Sequence, residues 1–375
     1  MKPRLLIAAD SSPFPPYDGK RQRSLALMEA ASSKYLIDYL ILGNYNDFLS
    51  TKDIEIPGVD FYFLPQMSPD SFIRKMGFGF WRVKSNKNHI SKFLERKNYS
   101  KILCRYASSA VNFPCLDKVI IDVDDDYVES MKTKIAVEKQ WLKKIRLKQI
   151  LELNKRAYKK ILIKASGLIF SKQQNFPFKY SFLPNLPFQS ILLEKKRQFI
   201  LPETKDLLFV GKLNFPPNLH GIYWFLEEVW PNLKIKHADI RLTIVSVIEP
   251  DDSLRTLIQN RKDVQFLVNV DDMDKVYQQH FLALAPIFFG SGSSIKLIEA
   301  LYHYRKVICT PFGARGFTQF ENLGIVTEAE SPQEWLNAIE LLLNQDYNEK
   351  NFESVKSHFS FENWTKQLLG ILNEE

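Results

Sequence analysis

Residues 281–300, F-L-A-L-A-P-I-F-F-G-S-G-S-S-I-K-L-I-E-A, constrain the fold of this chain more than any other stretch. They open with an apolar run, 281–288, short enough for a strand buried on both faces. A turn follows at Gly290, Ser291, Gly292 and Ser293, and then Ile295, Ile298 and Leu301 recur at helical spacing. A strand, a Gly/Ser loop and a helix start together make an anion cradle, because the first amides of a helix have no acceptor within it. Lys296 falls in the first turn, where it opposes the helix dipole unless an anion is present. Glu299 lies on the same face, about 4.5 Å further along at a rise of ~1.5 Å per residue, which suits a phosphate at Lys296 and a ribose diol at Glu299. A solvated Lys–Glu pair beside a tight turn is the competing reading of these residues.

The second half of the chain repeats the alternation. Apolar runs at 207–210, 241–248, 264–268, 306–310 and 324–326 read as strands, with helical stretches between them. W-F-L-E-E-V-W predicts a helix stopping at Pro231, and Ser331-Pro332-Gln333-Glu334 opens another with an N-cap, a first-turn proline and a capping-box glutamate. This order predicts the α/β class with a parallel, doubly wound sheet. In the first half, strands are expected at 4–9, 36–42, 61–64, 102–106, 119–123 and 167–170. The loop after the first of these, D-S-S-P-F-P-P-Y-D-G-K-R-Q-R, is stiffened by prolines and leads to a helix near Arg21, again aiming amides at a ligand. The plainer alternative is a rigid loop with solvated basic residues. A length of 375 residues accommodates two domains with their own cores.

The run 290–300, G-S-G-S-S-I-K-L-I-E-A, resembles the Gly-Ser-Gly-x-x-x-Lys-x-x-Glu-Ala signature of the retaining GT-B glycosyltransferases of family 4, the group 1 transferases. The resemblance covers most of the chain and is closest over 207–317. It implies two Rossmann-like, doubly wound domains facing across a cleft. Residues 1–183 would bind the acceptor, 184–206 would form a linker starting at Pro184-Asn185, and 207–358 would bind a nucleotide-sugar. A final helix within 359–375 would return to the first domain. It further implies a hexosyltransferase in which Glu299 holds the ribose while Lys296 and the amides of Gly290, Ser291, Gly292 and Ser293 hold the diphosphate. G-K-L-N-F-P-P-N-L-H-G resembles the basic loop of that family and puts Lys212 beside the diphosphate. The second lysine of that loop is absent; Asn218 and His220 stand in its neighbourhood, and His220 reads as a loop residue rather than a base. P-P-Y-D-G-K-R-Q-R-S resembles the N-terminal donor loop, with Gly19 kept and Lys20 at the second glycine position. L-V-N-V-D-D-M resembles the loop edging the base and brings in Asn269 and Val270. Where the family places the first glutamate of its carboxylate pair, this chain has Ser291. The mechanism implied is front-face transfer with no protein nucleophile, no metal and no other cofactor, the nucleotide-sugar being a substrate.

Strand 119–123 runs into Asp122, Asp124, Asp125 and Asp126. Asp122 and Asp125 are acceptor-side candidates; an oxygen cluster for a divalent cation and an N-cap for the following helix are the alternatives. The formal net charge of +8 favours an anionic partner. Two segments in the first half, 72–84 and 131–164, are basic and interleaved with aromatic and aliphatic residues. The second is expected to be one long helix packing through Ile135, Trp141, Leu142, Ile145, Ile150, Leu153 and Ala157. Such segments predict docking on an anionic membrane surface, hence a lipid-linked glycan acceptor and a cytoplasmic, peripheral position on the inner face of a bacterial membrane during surface polysaccharide synthesis. A solvated helix face is the alternative. A GT-B sugar-nucleotide epimerase, or a basic membrane or nucleic-acid adaptor, are the competing functions, though no nucleic-acid motif is present. The three cysteines lack CxxC spacing, which points to a reducing compartment without structural zinc. The N-terminus does not read as a signal peptide, and no run approaches the ~18 apolar residues of a spanning helix.

Overall fold

The computed structural model describes residues 2–16, 18–65, 87–124, 126–138, 140–172, 176–187, 199–202, 204–290, 295–315 and 317–374, with backbone alone at 137, 318, 319 and 321. The basic segment 72–84, Asp125, Ser291, Gly292, Ser293 and the middle of the expected linker lie outside the described residues.

The chain divides into two compact units, residues 1–193 with 361–375, and residues 194–360. The first carries β1 (Arg4–Ala9), β2 (Leu36–Gly43), β3 (Val59–Pro65), β4 (Lys101–Arg105), β5 (Val119–Asp124), β6 (Gly167–Phe170) and β7 (Ser181–Phe182), in the order β3-β2-β1-β4-β5-β6-β7. The second carries β8 (Leu207–Val210), β9 (Leu242–Ser246), β10 (Val264–Val268), β11 (Leu282–Ala285), β12 (Lys306–Cys309) and β13 (Val326–Glu328), in the order β10-β9-β8-β11-β12-β13. The paired strands of both sheets are parallel. The central strands are buried on both faces, as their unbroken apolar runs require. In each sheet the chain first builds outward on one side and then returns to the other. The direction reverses between β1 and β4 and between β8 and β11, and open α/β sheets take ligands at the carboxyl ends of such strand pairs.

Several elements differ from expectation for physical reasons. The pattern 131–164 is two helices, Tyr127–Val137 and Trp141–Lys164, because Glu138 and Gln140 are extended. The break lets Leu147 and Leu151 pack on Ile135, with Tyr127, Val128 and Met131 around them. The buried stripe of the second helix is Leu147, Leu151, Asn154, Tyr158, Ile161 and Leu162, not the expected face. Trp141, Leu142 and Ile145 are 68%, 65% and 46% exposed. The helix expected to stop at Pro231 instead starts at Pro216 and passes through it. A π-helical segment, Phe225–Val229, resets the hydrogen-bond register, with the Trp230 amide donating to the Phe225 carbonyl. Pro231 therefore sits in the first turn of the segment Trp230–Lys236, where its missing N–H costs nothing. Strand β11 stops at Ala285, short of the expected 288, because Pro286 has no N–H to continue the ladder. β13 begins at Val326, after Gly324 turns the chain at φ 64°.

The last helix, Phe361–Asn373, belongs to the first unit and buries Trp364, Leu368 and Leu372. Trp364 Nε1 donates to the Pro184 carbonyl at 2.7 Å, and Leu183 to Leu186 are buried, so the start of the expected linker is packed into that unit.

Candidate functional site

The site forms at the carboxyl ends of β8 and β11. Gly211 and Lys212 follow β8 directly, and Pro216-Pro217 open the helix Pro216–Trp224 with Asn218 in its first turn. Across from them, the chain leaves β11, turns at Gly290 with φ 137°, and resumes as the helix Ile295–Tyr302, with Lys296 second. An L-residue at 290 would be strained, so glycine is needed there.

Asn218 joins the two sides. Lys296 Nζ donates to Asn218 Oδ1 at 2.5 Å, and Asn218 Nδ2 donates to the Lys212 carbonyl at 3.0 Å. The ammonium also lies 4.8 Å from the centroid of the Phe209 ring. A Cβ at Gly211 would stand 2.9 Å from Asn218 Nδ2, 3.0 Å from its Cγ and 3.2 Å from Lys296 Nζ, so the cluster requires glycine at 211. Gly221 has the same logic one turn on, since a Cβ there would fall 1.8 Å from the Pro286 carbonyl oxygen. Helix and strand exit thus touch through backbone. Burial pulls the Lys296 pKa down to about 7, against the opposing field of Glu299 one turn on. The amine is poised between charge states near neutrality, and an anion beside it would restore the charge.

The backbone of Lys212 and the side chain of Lys296 therefore meet through Asn218 at this switch point, with Gly290 beside Pro217 and Glu299 one turn on from Lys296. Asn269 and Val270 follow β10 on the same carboxyl edge of this sheet. Asn269 is exposed and left-handed at φ 49°, a conformation asparagine tolerates, and its amide donates to the Ser246 carbonyl at 3.0 Å. His220, expected in a loop, is on the helix Pro216–Trp224, with its ring packed edge-on to Phe288 and Phe289. The sequence reading missed Gly211, Gly221 and the role of Asn218. The available signal was a Gly-Lys strand exit followed by Pro-Pro-Asn and another glycine.

In the first unit, Gly19 is the first residue of the helix Gly19–Ser32, capped by Asp18, whose Oδ1 accepts from the Arg21 amide at 3.0 Å. Lys20 is drawn back to Asp10 at 2.5 Å. Arg21 and Arg23 are buried, not solvated. Arg21 Nη1 fastens the preceding loop through the carbonyls of Ser12 and Phe14, at 3.0 and 2.7 Å. Arg23 binds Asp122 through two bonds of 2.9 and 2.8 Å and also donates to the carbonyls of Leu183 and Pro184. Asp122, expected to face an acceptor, is instead completely buried, with its oxygens taken by Arg23 and Arg105. It locks the β5 end to the first helix. Burial opposes ionisation of the neighbouring Asp124, yet Arg105 and Arg23 hold its carboxyl below the usual range. Asp126 is the N-cap of the next helix, accepting from the Glu129 amide at 2.7 Å.

With this geometry in hand, likeness to known proteins becomes informative. Residues 204–345 match the family model described as "Glycosyl transferases group 1". The chain is 24% identical over 343 residues to the "Uncharacterized 44.6 kDa protein in cps region" of Klebsiella pneumoniae, covering 84% of each. Its fold is similar to that of WaaG, described as a glycosyltransferase involved in lipopolysaccharide biosynthesis, with a TM-score of 0.66 at 14% identity over 99% of this chain and 100% of that one. TarM gives a TM-score of 0.68 at 11% identity, covering 99% of both chains. An E. coli structure described as trehalose-6-phosphate bound with UDP-2-fluoro glucose gives 0.65 at 11% identity, again covering 99% of both.

The chain has the two-domain, Rossmann-like GT-B fold. The match to the group 1 glycosyl transferase model falls within the second unit.

Proposed function

We propose that the chain transfers a sugar from a nucleotide-sugar to a glycan acceptor in the synthesis of a bacterial surface polysaccharide, with retention of configuration. The observation that carries this reading is the gathering of Lys212, Asn218 and Lys296 at the β8/β11 switch point, inside the region that matches group 1 glycosyl transferases. Support comes also from structural neighbours described as bound to UDP-2-fluoro glucose or to UDP.

In this reading the donor diphosphate lies against Lys212, Lys296 and the amides of Gly290, Ser291, Gly292 and Ser293, where a helix start favours an anion. Glu299 takes the ribose diol, and Asn269 and Val270 edge the base. The glycosyl–phosphate bond breaks and the acceptor oxygen bonds to the anomeric carbon on the same face. The acceptor proton passes to the departing diphosphate. No protein nucleophile takes part, and no metal is assigned a role; the rate comes from positioning and from neutralising the leaving group.

The acceptor in this reading is lipid-linked. Trp141, Leu142 and Ile145 stand exposed at the start of the helix Trp141–Lys164, interleaved with Lys143, Lys144, Arg146 and Lys148. Attachment in this reading is peripheral, at the inner face; among the described residues no helix is long and apolar enough to cross a membrane. Each basic residue near an anionic surface contributes about 1 kcal/mol, and the apolar side chains add interfacial burial. The protein is expected to float with anionic liposomes at low salt and to detach at high salt. Changing Lys143, Lys144, Arg146 and Lys148 to Gln should abolish flotation; a variant that floats like wild type returns these residues to a solvated face. For the activity itself, nucleoside diphosphate release from a panel of nucleotide-sugars should depend on added lipid-linked glycan. Interconversion of the sugar without acceptor would overturn the transferase reading in favour of an epimerase.

A further inference from the structure

We propose that Asn218 is a positioning residue of the anion site: its side-chain amide ties the carbonyl of Lys212 to the ammonium of Lys296, so that both walls of the site are set before a diphosphate enters. The identity of the ligand rests on the transferase reading above; the tie between the two lysines does not.

Asn218 is only 7% exposed, so water does not offer its amide an alternative set of partners. Its orientation follows from chemistry. A lysine ammonium only donates and a peptide carbonyl only accepts, so Oδ1 must face Lys296 and Nδ2 must face Lys212. The bond to Lys296 spans 78 positions of sequence and joins the exit of β8 to the helix after β11. Gly211 leaves the room that this arrangement fills. Among the described residues, Glu299 is the charged group whose field reaches the ammonium; Phe209, Gly211 and Asn218, which enclose it, are neutral. The oxygen of Asn218 is therefore the near acceptor that keeps a proton on a buried amine, and it does so without the full negative charge that would compete with a diphosphate.

Two substitutions that keep the number of side-chain heavy atoms and the branch at Cγ separate this role from mere packing. Asn218→Asp places a carboxylate on the ammonium and should raise the Lys296 midpoint from about 7 by a unit or more. Asn218→Leu removes the acceptor and should lower it. Both are read in ligand-free protein by NMR of ε-13C-labelled lysine, with the Lys296 signal assigned by its loss in Lys296→Ala. Calorimetry with inorganic pyrophosphate and with nucleoside diphosphates at pH 6 and pH 8 gives the second readout. Asn218→Leu should lose more affinity at pH 8 than at pH 6. Asn218→Asp should bind about tenfold or more weakly at pH 6, the scale of a charge-assisted bond, and change little toward pH 8. Midpoints unmoved in both variants, or moved in the same direction, would overturn the proposal, since a packing defect has no reason to act with opposite signs. Should Asn218→Leu not fold, Asn218→Asp, with nearly the same shape, decides the matter alone. If wild type binds no nucleotide and no pyrophosphate, the transferase reading falls, and the Lys296 midpoint still tests the tie.

Discussion

Replacing Gly211 with alanine adds one methyl group where three site atoms already stand. Gly211 is not among the residues with positive φ, so alanine fits its backbone and the cost comes from crowding alone. The new Cβ would sit 2.9 Å from Asn218 Nδ2 and 3.2 Å from Lys296 Nζ, against the 3.4 Å at which ordinary contact begins. The amide must retreat by the difference, about half an ångström, and the ammonium by less. Neither has a free direction, because Asn218 is held by the Lys212 carbonyl and Lys296 rests on the Phe209 ring. Overpacking of this kind costs about 1–3 kcal/mol of stability. A domain of this size loses roughly 2–4 °C of Tm per kcal/mol. A misplaced charge-assisted bond to the ligand costs about 1.5–3 kcal/mol, or roughly tenfold to a hundredfold in affinity. Melting curves and calorimetry with UDP, GDP and ADP measure both. Gly167→Ala is the control, since its Cβ would meet Ile120 at an ordinary 3.6 Å. If Gly211→Ala melts and binds like wild type while Gly167→Ala does the same, the cluster is looser than these distances require and does not hold an anion.

Four further outcomes are expected. Lys296, lowered to about 7 by burial against the field of Glu299, should take up a proton when a diphosphate binds at pH 8, where only about a tenth of the free protein carries the charge. Calorimetric heats in phosphate and Tris buffers should therefore differ, affinity should fall between pH 7 and pH 9, and equal heats would place the lysine away from the anion. The same depression makes ligand-free stability rise with pH from about 7 toward the ordinary lysine value of 10.5, because over that window the unfolded lysine binds more protons. Glu299→Ala should weaken nucleoside diphosphate binding by about 1.5–3 kcal/mol and a 2′,3′-dideoxy nucleotide by less, only through the lost field on Lys296; equal losses would show that Glu299 does not hold the ribose. Asp38 is buried under Arg4, Lys97 and Tyr99 at 2.5, 2.8 and 2.5 Å. Asp38→Ala should cost about 2–4 kcal/mol, below the value for a fully enclosed pair, because Arg4 and Lys97 keep 27% and 28% of their side-chain exposure. A chemical denaturation midpoint equal to wild type would contradict that figure.

Strands buried on both faces announced themselves in the sequence, because nothing else explains unbroken apolar runs such as 5–9 and 282–285 between polar loops. Helix starts were legible where chemistry fixes them, as at Ser331 with its Pro and Glu. What escaped was decided by distant partners. Trp141, Leu142 and Ile145 carry a helical pattern, but the break at Glu138 and Gln140 rotates the buried stripe onto Leu147, Leu151 and Tyr158. Pro231 reads as a stop only if the preceding turns are regular, and the π segment removes that condition. Lys296 was visible as a candidate for the site, whereas Asn218 was not. Its meaning depends on an ammonium 78 positions away and on the missing Cβ of Gly211, and neither is local information. Asp122 misled for the same reason, since the two arginines that bury it come from other elements of the unit.

The most direct measurement is a thermal-shift series with UDP-, GDP- and ADP-sugars on wild type, Lys212→Ala and Lys296→Ala. At a hundred times its Kd a ligand adds about 2.7 kcal/mol of stability. At least one nucleotide-sugar is expected to raise the melting temperature of wild type by several degrees, and both lysine variants are expected to stay folded and lose most of that shift. No shift with any nucleotide-sugar, or an equal shift in all three proteins, would contradict a donor site at the β8/β11 switch point.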